Sequence, residues 1–396
     1  MTASNRYTVH ICDQKYPTSF QENEPQSFLW QKALHQAHER KSPVTCWCIG
    51  APGIPLVVRH KGPRYLLAGS GNTGHLHRHD CHYYKERVES SGLRYYAKGV
   101  LQDGKSGLAA ITDIKFDHSP VSVNTDQKIT EKRQHTTLKG LLHLIWSKAL
   151  LNIWVDGWQR PESRMVWQLN ESIKSISIDD APLESKTVLL MDKSKEPMIL
   201  IDQARKAQSR LLLMGMLDKL PDTPYPPELL SFADHQSIGK VYFGSRVWER
   251  VEANYPSALA DWKQGKSVVA LALVLPNDQK NYLRCNDIAL VSLAHRYIPV
   301  ENDAERKTVD KLLHDKRSFT KPMRHDAPDE APLPSFILTD TDSMDTPIVV
   351  RTQTSASQRD FDSFIKSVFK LKTTWSWDGK GNPVAFPIAM SKKENT

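Results

Sequence analysis

The spacing of apolar residues predicts helices in the N-terminal and central parts of the chain. In SFLWQKALHQAHERK, residues 27–41, Phe28, Leu29 and Leu34 fall near helical spacing and predict a first helix. The segment LKGLLHLIWSKALLNIW, residues 138–154, carries apolar side chains at positions i, i+3, i+4 and i+7. This pattern predicts the strongest helix of the chain. The tryptophans in and around it are expected in the core, because large aromatic side chains dominate burial.

Other segments have the composition and alternation of strands. PLVVRH and RYLLAG, separated by Lys61-Gly62-Pro63, predict a β-hairpin. YYAKGVL (95–101) and AAITDIKF (109–116) predict further strands by their alternation. KSVVALALVLP (266–276) is almost continuously apolar and predicts a buried strand, and NDIALVSLAHRYIPV (286–300) predicts a second one.

The C-terminal part alternates short strands with helices. Asp303 is expected to cap a helix, LPSFILTD and TPIVVRT predict two strands, a helix follows from about Ser357, and TTWSWDG predicts a last strand. The fold class is therefore α+β, and no internal repeat indicates a solenoid. We expect a β-rich, zinc-ribbon-like hairpin region over 1–120, a helical and linker region over 121–235, and a mixed α/β domain over 236–396.

Composition narrows the class of protein. The 396 residues are 39% hydrophobic and 25% charged, as in ordinary soluble proteins. No run approaches eighteen apolar residues and the N-terminus has no export-type apolar stretch, which predicts a cytoplasmic protein that does not enter membranes. A net charge of +8 permits DNA or RNA as a partner without requiring it.

The five cysteines are too few for a disulfide framework in a chain of this length, so clustered ones are candidate metal ligands. Cys46 and Cys48 precede the predicted hairpin, and a group of histidines with Cys81 follows it. His77 and Cys81, four apart, fit one helical turn. We predict a structural zinc site of Cys46, Cys48, His77 and Cys81, with four protein ligands and no open position. His75 and His79 are alternatives to His77, and a chance cluster is the other interpretation.

Motifs for other chemistry are weak. No phosphate-binding glycine loop opens a helix, so no nucleotide cofactor is expected, and no nucleophile-elbow motif occurs. His143, between Leu142 and Leu144, is expected to be a core histidine, and Cys285 a core cysteine. Arg324, His325 and Asp326 are expected to form a solvated charged turn.

Several motifs together resemble a known bacterial family. CWCIGAPGIPLVVRHKGPRYLLAGSGNTGHLHRHDCHYY, LLHLIWSKALLNIW, ALVSLAHRYIPVENDAE and KPMRHDAPDEAPLPSFILTDT are similar, in this order, to the family called domain of unknown function 1173. The resemblance spans about residues 40–380. It implies a protein encoded on plasmids or integrative conjugative elements, without an assigned activity, and it supports the same four metal ligands.

The C-terminal part also resembles a restriction-endonuclease-like core that has lost its catalytic residues. Lys321-Pro322-Met323-Arg324 is similar to the start of that nuclease motif. Ser335, however, stands where a metal-binding Asp is expected, and Val349-Val350-Arg351 supplies no acid. Such nucleases need carboxylates that hold a divalent cation.

Two functions therefore follow as hypotheses. The first is a non-enzymatic, zinc-stabilised accessory protein of a mobile genetic element that binds nucleic acid or a transfer or maintenance partner protein. The alternative is a metal-dependent nuclease in the C-terminal domain, for which Asp340, Asp342 and Glu301 or Glu305 would have to converge in one cleft.

Overall fold

The computed structural model describes residues 6–22, 27–71, 73–103, 107–117, 132–193, 197–220, 228–233, 238, 240–277, 282–340, 348–352, 356–369, 374–377, 380–381 and 385–386. The chain divides into two compact units, residues 1–90 and residues 91–396. The three-part division at 120 and 235 stays a prediction. In the described part of the chain, no helix combines the length and the apolar character needed to cross a membrane.

The N-terminal unit is built on one antiparallel sheet with a helix against it. Its elements are β1 (Val9–Ile11), β2 (Gln14–Tyr16), α1 (Thr18–Glu22), α2 (Ser27–Glu39), β3 (Val44–Cys46), β4 (Ile54–Lys61) and β5 (Arg64–Gly69). The strand order is β2-β1-β3-β4-β5, and α2 packs against β4 and β5. The predicted helix and the predicted hairpin are both confirmed.

The two faces of this sheet differ because side chains alternate along each strand. On the α2 side, Val9, Cys46 and Ile54 lie in register and are buried beside Trp30 and Leu34. The other face carries the residues between them, including exposed Val57 and Leu66. The sheet therefore has one face in the core and one open face.

The described residues of the C-terminal unit form three sheets and most of the helices. Its elements are β6 (Leu101–Asp103), β7 (Leu108–Ala110), α3 (Leu138–Lys148), β8 (Ile153–Trp154), α4 (Glu162–Lys174), β9 (Ile176–Ile178), β10 (Ala181–Pro182), β11 (Thr187–Leu189), α5 (Pro197–Lys206), β12 (Leu211–Met216), β13 (Leu229–Leu230), β14 (Lys240–Phe243), α6 (Ser245–Asn254), α7 (Pro256–Lys263), β15 (Val268–Pro276), β16 (Tyr282–Leu293), β17 (Pro299–Val300), α8 (Asp303–His314), β18 (Phe319–Thr320), β19 (Phe336–Leu338), β20 (Ile348–Arg351), α9 (Gln358–Phe369) and β21 (Thr374–Ser376).

The largest sheet of this unit has the order β11-β12-β15-β16-β14-β13, with β17 on β16. Parallel and antiparallel pairs are mixed in it, and helices pack on it, as the α+β prediction required. Strand β15 is buried on both faces, which explains its apolar run. The smaller sheets have the orders β10-β9-β7-β6 and β21-β20-β19-β18-β8.

Helix α3 ends earlier than its apolar pattern predicts. The predicted helix covers residues 138–154, but α3 stops at Lys148, and Leu150 adopts a left-handed conformation with φ of 56°. The amide of Leu151 then donates to the carbonyl of Trp146 at 3.2 Å, which closes the helix end. The chain continues as a turn to Asn152 and then as β8 with Ile153 and Trp154, so the second part of the helix prediction is wrong.

The strand predicted over 95–101 is also largely wrong. Gly92–Tyr95 forms a 3-10 turn, Tyr96 makes an isolated β-bridge with Arg133, and a continuous strand begins only at β6. Close packing explains the turn: a Cβ on Gly92 would lie 1.7 Å from the carbonyl oxygen of Arg324. Residue 92 therefore has to be glycine for the turn to approach this segment.

Candidate metal centre

The first two predicted ligands lie at and just after the end of a strand. Cys46 is the last residue of β3 and pairs with Val9 on one side and Ile54 on the other, which points its side chain into the core. The chain then turns, and Gly50 donates its amide to the carbonyl of Trp47 at 3.1 Å. This turn leaves Cys48 buried on the same side as Cys46.

The other two predicted ligands lie in a loop after β5. His77 follows a 3-10 turn at Gly74–Leu76, and the amide of Cys81 donates to the carbonyl of Arg78 at 2.8 Å. The expectation that His77 and Cys81 share a helical turn is therefore wrong. A tight non-helical turn brings the two side chains together instead.

The four donor atoms lie within 4.8 Å of one another. Cys46 Sγ is 3.7 Å from Cys81 Sγ, and His77 Nδ1 is 3.4 Å from Cys48 Sγ and 3.6 Å from Cys81 Sγ. All four residues are buried. Three thiols and an imidazole that converge in this way can hold a metal ion.

The thiols influence one another strongly. Hydrogen bonding with Cys46 and Cys81 lowers the pKa of Cys48, and the amide of Arg78 adds a bond to its Sγ at 3.4 Å. Hydrogen bonding with Cys48 raises the pKa of Cys46 to about 12, and hydrogen bonding with Cys46 raises that of Cys81. Negative charge is thus concentrated on one sulfur, and a bound cation would be needed to stabilise it on all three.

The loop around the ligands is held by a small polar group. Arg78 Nε lies 3.1 Å from Asp80 Oδ1, and the hydroxyl of Tyr7 donates to Asp80 Oδ2 at 2.8 Å. His79, an alternative ligand in the sequence, is buried beside Tyr84, and burial lowers its pKa to about 4. His75 contacts Arg87. Among the described residues, neither His75 nor His79 belongs to the group of converging donors.

The carboxylates required by the nuclease hypothesis bind cationic side chains instead. Asp340 accepts from Arg317 at 2.7 Å, and Lys321 donates to Glu301 at 3.0 Å and to Glu305 at 2.6 Å. Within the described residues these acids do not form a group of three metal donors. Asp342 lies outside the described residues, and the nuclease hypothesis stays a prediction.

A second polar cluster was missed by sequence reasoning. Arg324, His325 and Asp326 are all buried, so the expected solvated turn is wrong. Arg324 Nε lies 3.2 Å from Glu301 Oε2, and Asp326 accepts the amide of Thr137 at 3.0 Å at the start of α3. Only the density of charged residues in PMRHDAPDE hinted at this cluster.

The two residues assigned to the core are confirmed there. Cys285 is buried, and burial raises the pKa of its thiol. His143 is 6% exposed, and its Nδ1 accepts the amide of His325 at 2.9 Å.

Comparison with known proteins gives a family and no activity. The model of the family described as "Protein of unknown function (DUF1173)" matches residues 18–379. No curated protein and no solved structure matches the chain. The family match includes all four converging donors and covers far more than half of the sequence. The chain therefore belongs to the DUF1173 family of proteins of unknown function.

Proposed function

We propose that this chain is a non-enzymatic accessory protein, stabilised by zinc, that binds nucleic acid through the open face of its N-terminal sheet. The observation that carries the proposal is the make-up of that sheet, which includes a predicted zinc ligand and presents basic and aromatic side chains outwards. A cytoplasmic setting and an origin in a mobile genetic element belong to the same proposal.

The donor spacing supports zinc as the ion. With Zn–S bonds of about 2.3 Å and Zn–N bonds of about 2.0–2.1 Å, a tetrahedron separates two sulfurs by about 3.8 Å, and sulfur from nitrogen by about 3.6 Å. The separations here are 3.7 Å between Cys46 and Cys81 sulfurs and 3.4 and 3.6 Å from His77 Nδ1 to Cys48 and Cys81. Four protein donors leave no position for substrate, which favours a structural ion.

The open face of the sheet has a specific chemistry. Lys15 pairs with His10, and Trp47 stacks on His10 with ring centroids 3.9 Å apart. Arg59 pairs with Leu66 on the neighbouring strand and is exposed. The result is an open sheet face with an aromatic ring and cationic side chains, which is a common surface for stacking bases and contacting phosphates.

Charge supports the same partner. The strands β1 to β5 contain four Lys and Arg residues and no Asp or Glu. Residues 1–90 contain eleven Lys and Arg against seven Asp and Glu, so this unit has a net charge of +4, half of the chain's +8. A basic sheet face without carboxylates favours a polyanion over an acidic or neutral small ligand.

The test is binding of labelled oligonucleotides measured by fluorescence anisotropy. Single-stranded DNA, double-stranded DNA and single-stranded RNA of equal length are titrated with zinc-loaded protein from low to physiological salt. We expect saturable binding whose affinity falls steeply with salt, because phosphate contacts release counterions.

A triple variant of Lys15, Arg59 and Arg64 to Gln tests the face itself. We expect at least tenfold weaker binding and a smaller salt dependence, with the slope reduced by about one for each phosphate that the variant no longer neutralises. The matched control changes Lys32, Arg40 and Lys41, which are exposed on and just after α2, to Gln and removes the same charge. Equal losses of affinity in the two variants would argue against a defined face.

Lack of binding to all three oligonucleotides at low salt would overturn the nucleic-acid proposal and leave the partner-protein version. A pull-down from a host that carries the parent element, with and without nuclease treatment, then tests that version directly.

A further inference from the structure

The C-terminal unit contains a cavity of about 630 Å³ that no part of the proposed function uses. It lies among the start of α3, the junction of α6 and α7, strands β16 and β17, and the segment 321–324. This volume is in the range of pockets that bind small molecules. Its lining includes Lys139, His143, Tyr255, Glu301, Lys321 and Arg324.

Three of the charged groups in the lining already bind one another. Lys321 donates to Glu301 at 3.0 Å and also to Glu305, while Arg324 lies 3.2 Å from Glu301 and donates to the carbonyls of Asp329 and Ala331. The charge of Glu301 is therefore matched from two sides. A ligand in this cavity would therefore be bound by the hydrogen-bond donors of the lining that have no such partner.

His143 is one of these donors. It is 94% buried, its Nδ1 accepts the amide of His325 at 2.9 Å, and its Nε2 has no partner among the described residues. Burial lowers the pKa of His143 well below its usual value. Repulsion from the nearby basic groups lowers it further; these are His325, Lys139, Lys321 and Arg324. A neutral ring that accepts at Nδ1 carries its proton on Nε2, so it offers a hydrogen-bond donor to the cavity.

Lys139 and Tyr255 supply the others. Lys139 lies in the first turn of α3, where a cation is unfavourable next to the positive end of the helix dipole, and it forms no ion pair among the described residues. The hydroxyl of Tyr255 also has no partner in the described part of the chain, and burial raises the pKa of Tyr255, which keeps it protonated. Two donors and a cation thus border the same space.

The rest of the lining separates this cavity from its neighbour. Pro256, Pro299 and Met323 give it an apolar wall. A second cavity of about 390 Å³ shares Lys139, Tyr255 and Asp329, and five carboxylates in its lining outnumber four Lys and Arg side chains. In the larger cavity three cations, Lys139, Lys321 and Arg324, outnumber two carboxylates, Glu301 and Asp329. An anion would be repelled there, so the larger cavity is the one that suits it.

We infer that the larger cavity binds a small organic anion, with carboxylate or phosphate oxygens held by Lys139 and His143 and an apolar body against Pro256, Pro299 and Met323. The Tyr255 hydroxyl contributes a further hydrogen bond. This arrangement accounts for a lysine at the start of α3, because a bound anion offsets the repulsion between Lys139 and the positive end of the helix dipole.

Isothermal titration calorimetry on the full, zinc-loaded chain tests this inference. The probes are phenyl phosphate, benzoate and, as a neutral control, benzyl alcohol. We expect one saturable site per chain for at least one of the two anions, and benzyl alcohol at least tenfold weaker. The two anionic probes distinguish phosphate from carboxylate as the preferred group.

Variants connect the binding to the cavity. Lys139→Ala should weaken the anion at least tenfold, Lys139→Arg should retain most of the affinity, and Tyr255→Phe should weaken it about twofold to tenfold. Lys206→Ala, which removes a charge from the exposed end of α5, should leave the affinity unchanged. The inference is wrong if neither anion binds, if benzyl alcohol binds equally well, or if Lys139→Ala binds like the parent protein.

Discussion

The two units bury polar side chains in opposite ways. In residues 1–90, Cys46, Cys48, His77 and Cys81 converge, and all of them are donors that could hold a cation. In residues 91–396, buried Lys321 lies between Glu301 and Glu305 at hydrogen-bonding distance and supplies the cation from the chain itself. The first arrangement offers four donors to an ion from outside, whereas the second contains its own cation.

The apolar cores of the two units also differ in whether they contain the candidate metal donors. The described residues of the N-terminal unit form one hydrophobic cluster, and three of the metal donors, Cys46, Cys48 and Cys81, are members of it. Those of the C-terminal unit form four clusters, which contain none of these donors. A small unit whose core includes its ligands has few other sources of stability, so ion and fold should be inseparable there.

The largest expected effect follows from removing the ion. In Cys48→Ser, we expect zinc to fall from one per chain to none, because three donors remain and a hydroxyl is a poor zinc ligand. The loss is on the order of 10 kcal/mol of metal-binding free energy that stabilises the N-terminal unit. Native mass spectrometry gives the stoichiometry, and hydrogen exchange read by peptide shows whether protection disappears over residues 44–83 and is kept over 138–320.

The control for this experiment is Cys12→Ser. Cys12 is an exposed cysteine in the same unit, outside the group of four donors, and its loss should change neither zinc content nor exchange. One zinc per chain in purified Cys48→Ser would contradict the ligand set. Loss of zinc without any change in exchange would contradict the structural role of the ion.

The next effect concerns the internal cation. Lys321→Met leaves buried Glu305, and half-buried Glu301 beside it, without their shared ammonium group, which should cost about 3–5 kcal/mol of unfolding free energy. Denaturant unfolding of the zinc-loaded chain, with and without chelator, measures the loss. Because this cluster needs no ion, the cost of the substitution should be the same in both conditions.

Lys174→Met is the matched control. Its Nζ lies 2.9 Å from Glu171 Oε1, but both side chains are nearly half exposed, at 47% and 44%. An exposed pair of this kind contributes about 0.3–0.5 kcal/mol. Similar losses in Lys321→Met and Lys174→Met would show that the buried cluster does not stabilise the C-terminal unit as inferred.

A smaller effect is expected from pH. Burial lowers the pKa of His325 from 6.5 to about 4, so the unfolded chain binds the proton more readily and stability falls as pH decreases from 6.5 to 4. The full difference is about 3 kcal/mol. In His325→Asn, which suits the left-handed conformation at φ of 49°, the stability difference from the parent protein should shrink by up to this amount between pH 7 and pH 4. A constant difference across that range would contradict the assignment.

The convergence of the four donors could be predicted because their spacing along the chain is informative. Cys46 and Cys48 are two residues apart, His77 and Cys81 are four apart, and a hairpin with a recognisable turn brings the pairs together. Few residue types bind zinc, so the pattern leaves few alternatives. The predicted helical turn at His77 was still wrong, because tight turns and helices place residues four apart at similar distances.

The buried charges could not be predicted in the same way. Lys321, Glu305 and Arg324 are charged residues of the kind that sequence rules place in solvent, yet all three are buried. Their burial depends on β17, α8 and the segment after β18 meeting at one place. The end of α3 was missed for a related reason. Leu150 adopts the left-handed conformation that glycine usually adopts after a helix, so the sequence carries no signal for the end of α3. Burial of Leu151 and Ile153 holds the chain in this conformation.

The smallest effect is expected from losing the N-terminal cap of α8. It tests whether this cap and the ion pairs of the C-terminal cluster stabilise the unit independently. Asn302 caps α8 by accepting the amide of Glu305 at 2.9 Å, and Glu305 Oε2 in turn accepts the amide of Glu301 at 2.8 Å. Loss of such a cap in Asn302→Ala should cost about 1 kcal/mol, while Asn302→Asp should keep most of it. Denaturant unfolding measures both variants together with the double variant Asn302→Ala, Lys321→Met. If the loss in the double variant is the sum of the two single losses, cap and ion pairs act independently. If the double variant loses little more than Lys321→Met alone, the cluster forms one network in which the cap holds Glu305 against Lys321.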